Sequence, residues 1–393
     1  MRSRKLLALI FSLLAIAPAL AGYMTLLGAG VGSIQPVASW VSTTDPTFPS
    51  SSLTFSRTSL ATMFDSTGKL TYAPNNLALN TATLGTQSVT VQVGVNYLIS
   101  FASGGGSIAL SGAGAGTVTS ASPVKITAST STLTLTVTGT VTNAVVAAVT
   151  YETTPRPGDQ VITTSAAYYG PRIDYDPNTL AVKGLLIEGE PRTNLQPVSD
   201  LSASTTLNAA TVATGQAAPD GTNGARKIIA DATAGFHYAT QALATTSGVL
   251  YSTSFFAYAP DAGYTLVGGA SNTGAIGTFD LATGTATSGA NMAASMRQVG
   301  TLAGKPVYKC VWQWTAAANN NQAYFYAPNA LNTIAASAGN GTSGVVIWGV
   351  QTEAGAKDTS LIVTSGSAVT RAPDIVTLTG PAIAAASGSA ATL

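Results

Sequence analysis

The sequence predicts an all-β fold: two antiparallel β-sandwich modules of jelly-roll type in tandem, the smaller inserted in a connecting region, behind an extended arm and an apolar N-terminal helix. Three observations predict it. Apolar residues alternate at period two, as in Val89, Val91 and Val93 or Leu133, Leu135 and Val137, and no segment after residue 30 keeps a 3.6-residue period over three turns. Gly, Ser and Thr clusters punctuate those runs at turn positions. Two stretches also follow one plan, opening with Asn-Leu ("NNLALN", "TNLQPV"), running through an aromatic strand after a Gly turn ("GVNYLISFA", "GVLYSTSFFAYAP") and closing on a Val-rich strand ("AVVAAVTYE", "GVVIWGVQTE").

In chain order, residues 1–22 carry Arg2, Arg4 and Lys5, an apolar run from Leu6, and Ala19-Leu20-Ala21 before Gly22. These are the parts of a secretory signal, and the run is short of the about 20 residues that a membrane span needs. If retained, the segment is an apolar helix to be buried against its own copies or a larger assembly. Residues 23–53 are rich in Gly, Pro, Ser and Thr and read as an extended arm. Residues 54–75 with 151–195 form a connecting collar, 76–150 the small sandwich, 196–365 the larger jelly roll, and 366–393 a C-terminal tail.

Composition excludes several functions. Charged residues are 8% of the chain, against about 25% in ordinary soluble proteins, so hydroxyls and backbone wet the surface. A net charge of +1, with no basic cluster beyond the N-terminus, argues against nucleic-acid binding. One Cys (Cys310) and one His (His237) rule out an intrachain disulfide and a Cys/His zinc site, and leave His237 as the sole histidine for a triad. His237 lies in an apolar strand-like stretch without a nucleophile motif, which favours a packed histidine over a catalytic base. The stretches "SGGGS" and "SGAGAG" do not open a helix as a phosphate loop must, and no cofactor is expected.

Four separated stretches carry a family resemblance: Phe55 to Leu70, Arg172 to Leu195, Trp348 to Glu353 ("WGVQTE") and Ser367 to Asp374 ("SAVTRAPD"). Their order resembles the head-fibre, head-spike and tail-fibre modules of tailed bacteriophages and gene-transfer particles, over roughly residues 23 to 380. The resemblance implies a virion surface protein with carbohydrate-binding-like jelly rolls and no catalytic activity. The chain departs from that pattern in its inserted small sandwich, its apolar N-terminal segment, and its lack of a β-helix or coiled-coil stalk.

The charges gathered at Arg172, Asp174, Asp176, Glu188, Glu190 and Arg192, with Arg371, read as a structural joint between modules. Asp174 and Asp176 would share a strand face, as would Glu188 and Glu190, so a calcium site at Asp174 and Asp176 and an acid/base pair are the competing readings. For sugar binding the candidates are Tyr324 and Tyr326 with Asn320 and Asn321, because flat rings stack on pyranoses and amides reach hydroxyls. Tyr308, Cys310, Trp312 and Trp314 share a face suited to the core.

The expected function is that of a virion structural protein on the particle surface, a head or tail fibre that binds host polysaccharide. Its expected partners are its own copies, three or more around the N-terminal segment, and capsid or tail proteins through residues 1–53. The alternative is a bacterial secreted or cell-surface carbohydrate-binding protein exported by residues 1–21.

Overall fold

A computed structural model describes residues 53–202, 205–261, 266–271, 276–289, 291–327 and 336–378. The expected N-terminal helix, most of the arm and residues 379–393 lie outside them. Among the described residues the structure is all β, with a single 3-10 turn at Pro157–Asp159.

The small module has seven strands: β1 (Gln87–Thr90), β2 (Asn96–Ser103), β3 (Ser107–Gly112), β4 (Gly116–Val118), β5 (Val124–Thr127), β6 (Thr132–Thr138) and β7 (Thr142–Val149). They form two facing sheets, β1-β6-β3-β4 and β7-β2-β5. Leu133 and Leu135 from one sheet and Tyr97, Ile99 and Phe101 from the other share one core. Alternation explains this: Leu133 and Leu135 point in while Thr132 and Thr136 face water. The expected run Val89-Val91-Val93 breaks at its end, because the strand stops at Thr90 and Val93 is exposed. Gly94 makes the turn at φ 78°, and a Cβ there would meet the Ser365 side chain at 2.2 Å, so only glycine lets the large module's trailing segment pass.

The large module repeats this plan. Its strands β8 (Tyr238–Leu243), β9 (Leu250–Tyr258), β10 (Leu266–Ser271), β11 (Ile276–Asp280), β12 (Lys305–Thr315), β13 (Asn321–Tyr326) and β14 (Gly344–Ala354) pair in the orders β8-β13-β10-β11 and β14-β9-β12. Every strand occupies the place of the one seven before it, and both orders are those of a jelly roll. Extra strands widen the sheets: Thr205–Asn208 beside β8, Thr285–Ser288 beside β11, Ala225–Ala230 and Ala210–Gln216 beyond β14, and Met292–Leu302 beside β12. The core holds Phe255, Phe279, Trp312, Trp314 and Phe325, with Tyr308 and Cys310 on the same face of β12 as the tryptophans.

The repetition reaches single hydrogen bonds. Asn76 Oδ1 accepts Val146 N–H at 3.0 Å, its Nδ2 donates to Ala144 O and Val161 O, and Leu77 N–H donates to Val146 O. Asn194 Oδ1 accepts Thr352 N–H at 3.0 Å, its Nδ2 donates to Val350 O and Ile362 O, and Leu195 N–H donates to Thr352 O. Five residues on, Thr81 pairs with Thr163 and Ser199 with Thr364. Each asparagine amide thus satisfies the last long strand of its module and stitches the returning chain to it.

Both amides are fully buried, so replacing either Asn76 or Asn194 by Ala orphans several backbone groups at once. Each substitution is expected to cost about 2–4 kcal/mol, read as a drop in the urea midpoint; an unchanged midpoint would contradict this role for the clamps.

Candidate functional site

Two constellations hold the residues that the sequence singles out. The first is the polar joint. Strand Arg172–Tyr175 pairs with Val182–Leu186, Leu53–Ser56 with Ile375–Leu378, and Arg192–Asn194 with Val369–Arg371, so much of the expected tail is woven into the collar. At their meeting point Arg172 bonds Glu188 at 2.5 Å and also Asp374, while Arg57 bonds Asp374 at 2.9 Å and Arg371 approaches Glu188 at 3.4 Å. Ser360 donates to Glu188 from both N–H and hydroxyl at 2.7 Å. The "WGVQTE" stretch positions Ser360: Gly349, at φ 62°, lies in the strand irregularity between the Phe256–Trp348 and Ser254–Gln351 pairs, and Gln351 and Glu353 follow it. Gln351 accepts Ile362 N–H and Glu353 accepts Thr359 N–H, which sets the intervening serine over Glu188.

Of the seven residues expected in the joint, the structure brings Arg172, Glu188 and Arg371 together and adds Arg57 and Asp374. The others do separate work. Asp174 accepts Phe64 N–H at 2.9 Å and faces Lys183 at 3.6 Å. A register shift after Asp174 puts Asp176 in a turn, where it accepts the N–H groups of Asn178 and Thr179. The two carboxylates therefore do not share a strand face, the premise of the calcium reading, and each accepts hydrogen bonds locally. Glu190 is exposed and pairs with Arg192 at 2.7 Å, and Arg192 also donates to Ala354 O. Glu188 and Glu190 lie outside any strand, so they do not share a strand face as expected.

Burial opposes the charge on Glu188, but Arg172, Arg371 and the Ser360 donors outweigh it and hold the carboxyl down at about 2. Burial instead pushes Asp174 and Glu353 up. His237 is buried, with Nδ1 2.5 Å from Ala209 O and Nε2 2.7 Å from Ser337 O, so carbonyls occupy both ring nitrogens.

The second constellation is aromatic. On β13, Asn321, Ala323 and Phe325 point into the core while Gln322, Tyr324 and Tyr326 point out and are half-buried. Register sets Tyr238 of β8 beside Tyr326, and Phe236, 45% exposed, lies just before it. The four rings form one cluster: Tyr238 lies 5.2 and 5.3 Å from Tyr324 and Tyr326, those two are near-parallel at 6.0 Å, and Phe236 meets Tyr326 edge-on at 6.4 Å. Tyr324 donates its phenol to Gln322 Oε1 at 2.7 Å. Burial, with the neighbouring phenols, pushes Tyr326 up to about 12, and burial pushes Tyr324 up too, so both hydroxyls are donors at neutral pH.

Of the four expected sugar-site residues, Tyr324 and Tyr326 stand on this face. Asn321 does not: its amide donates inward to Thr245 Oγ1 and Ala318 O. Asn320 is exposed at φ 57°, in the turn before the strand. Phe236 and Tyr238 were missed, although their i, i+2 spacing in "GFHYATQ" was the signal available.

No protein-family model matches the chain, and neither does any curated protein. Among solved structures it is similar to the N-terminal CBM22-1–CBM22-2 tandem domain of Paenibacillus barcinonensis Xyn10C, at 10% identity and TM-score 0.26, covering 73% of this chain and 87% of that one. A likeness at that score carries no inference about ligand.

The low value at Glu188 sets an acid limit on the joint. A folded-state value of about 2 against the ordinary 4.5 stabilises the protein above about pH 4.5, and that stability is lost as pH falls from there toward 2, at most about 3 kcal/mol. Glu188→Gln is expected to flatten the pH dependence of chemical unfolding in that window, and an undiminished slope would contradict it.

Proposed function

We propose that this chain is a structural adhesin on the surface of a tailed-phage particle. In this reading it is attached through residues 1–53, assembled in three or more copies, and binds host polysaccharide through its large jelly roll. It works by binding rather than by turnover. The observation that carries the adhesive reading is the half-exposed cluster of Phe236, Tyr238, Tyr324 and Tyr326 on the outer face of β8 and β13. Aromatic bodies with phenol tips offer apolar area and donors together, which is the combination a sugar ring presents in return.

Two features support the structural half. The four stretches that resemble phage fibre modules meet in space, three in the joint and the fourth, "WGVQTE", as its support. The joint also leaves its acids no free role: Glu188 and Asp374 are held by arginines and Asp174 by a backbone N–H and Lys183.

A bacterial exported carbohydrate-binding protein is the second reading, favoured by Arg2, Arg4, Lys5 and the Ala19-Leu20-Ala21 stretch. Intact mass of the native protein separates the two. A chain starting at Met1 inside particles is expected for the virion, and one starting at Gly22 in the medium overturns it.

Tyr326→Ala is expected to weaken adsorption to host surface polysaccharide about tenfold or more while lowering the unfolding free energy by only about 1–2 kcal/mol. Unchanged adsorption would remove the ring cluster from the adhesive role.

A further inference from the structure

We infer that the ring cluster takes an uncharged glycan, a chain of neutral or N-acetylated sugars, and rejects acidic polysaccharide. This deepens the adhesive reading above and rests on it.

Strand register lays out the face. One row runs across the sheet through Asn208, Tyr238, Tyr326, Gly268 and Thr278, and the next through Thr206, Thr240 and Tyr324. No residue of either row carries a charge. The six cations of residues 196–365 lie elsewhere: Arg226, Lys227, Arg297, Lys305 and Lys309 are on strands of the opposing sheet, and Lys357 is in the loop after β14. A uronate, sulfate or sialate laid on these rings would find no guanidinium or ammonium, and would give up its water against apolar surface uncompensated.

Cationic ligands fare no better. Asp280, at the end of β11, is buried, and its carboxylate accepts the N–H groups of Ala282 and Thr283 in the following turn. Asp231, in the loop before Phe236, accepts from Thr233.

The face does hold neutral polar capacity. The phenol of Tyr326 stays protonated and can donate, while that of Tyr324, whose proton is given to Gln322 Oε1, can accept. Hydroxyl and acetamido groups exchange hydrogen bonds with such donors and acceptors at no cost in charge.

The test uses the full chain against immobilised dextran, glucomannan and chitin as neutral probes, and alginate, hyaluronate and polysialic acid as acidic ones, at about 20 and about 500 mM NaCl. Retention is expected on at least one neutral probe, changed less than about twofold by salt, abolished by Tyr326→Ala and kept by Tyr326→Phe, which preserves the ring. Salt-sensitive retention on an acidic probe alone, still lost in Tyr326→Ala, overturns the neutral class and leaves the adhesive reading standing. Retention on none of the six, or retention indifferent to Tyr326→Ala, overturns both.

Discussion

Two carboxylates shared among three arginines, away from water, hold this molecule in one piece. Glu188 and Asp374 are acceptors for Arg57, Arg172 and Arg371 in a spot where Arg172 and Asp374 are fully shielded. Such a cluster is costly to desolvate, and one ion pair would rarely recover that cost. Here the acids also collect neutral donors, Ser360 on Glu188 and the Glu188 N–H on Asp374, so their lone pairs are used from several directions. The cluster is directional where an apolar seam would not be. It ties the collar, the segment after the last strand of the large jelly roll, and the C-terminal segment together.

The two jelly rolls show how one topology is put to different uses. β6 and β13 occupy the same place in their sheets, and both alternate apolar-in and polar-out. On β6 the outward residues are threonines, which hydrate and stay inert. On β13 they are Gln322, Tyr324 and Tyr326. Identity of strand order therefore says nothing about shared binding, because the difference lies wholly in side chains that the fold leaves free.

Much of this was legible in the sequence, and the misses have physical causes. Period-two alternation and turn residues suffice for an all-β reading, and the repeated Asn-Leu openings marked the duplication because each asparagine does the same hydrogen-bonding work. Arg57 and Asp374 escaped notice as partners because 317 residues separate them, and no local pattern registers a contact of that range. Asp174 and Asp176 looked coplanar only on the assumption of an unbroken strand, which the register shift violates. Asn321 looked available because an amide next to tyrosines reads the same whether it faces out or in; its position on the inward phase of β13 decides the matter.

The ribbon formed by Leu53–Ser56 and Ile375–Leu378 has a mechanical meaning. Leu53 lies opposite Leu378 at its outer end and Ser56 opposite Ile375 at its inner end, and the next rung inward is the Arg57–Asp374 ion pair. Tension drawing residue 53 away from residue 378 would peel those rungs one at a time rather than load them together in shear. The peeling would halt at the arginine, beyond which further extension has to tear the collar, so the ribbon behaves as a sacrificial strain relief in front of a hard stop.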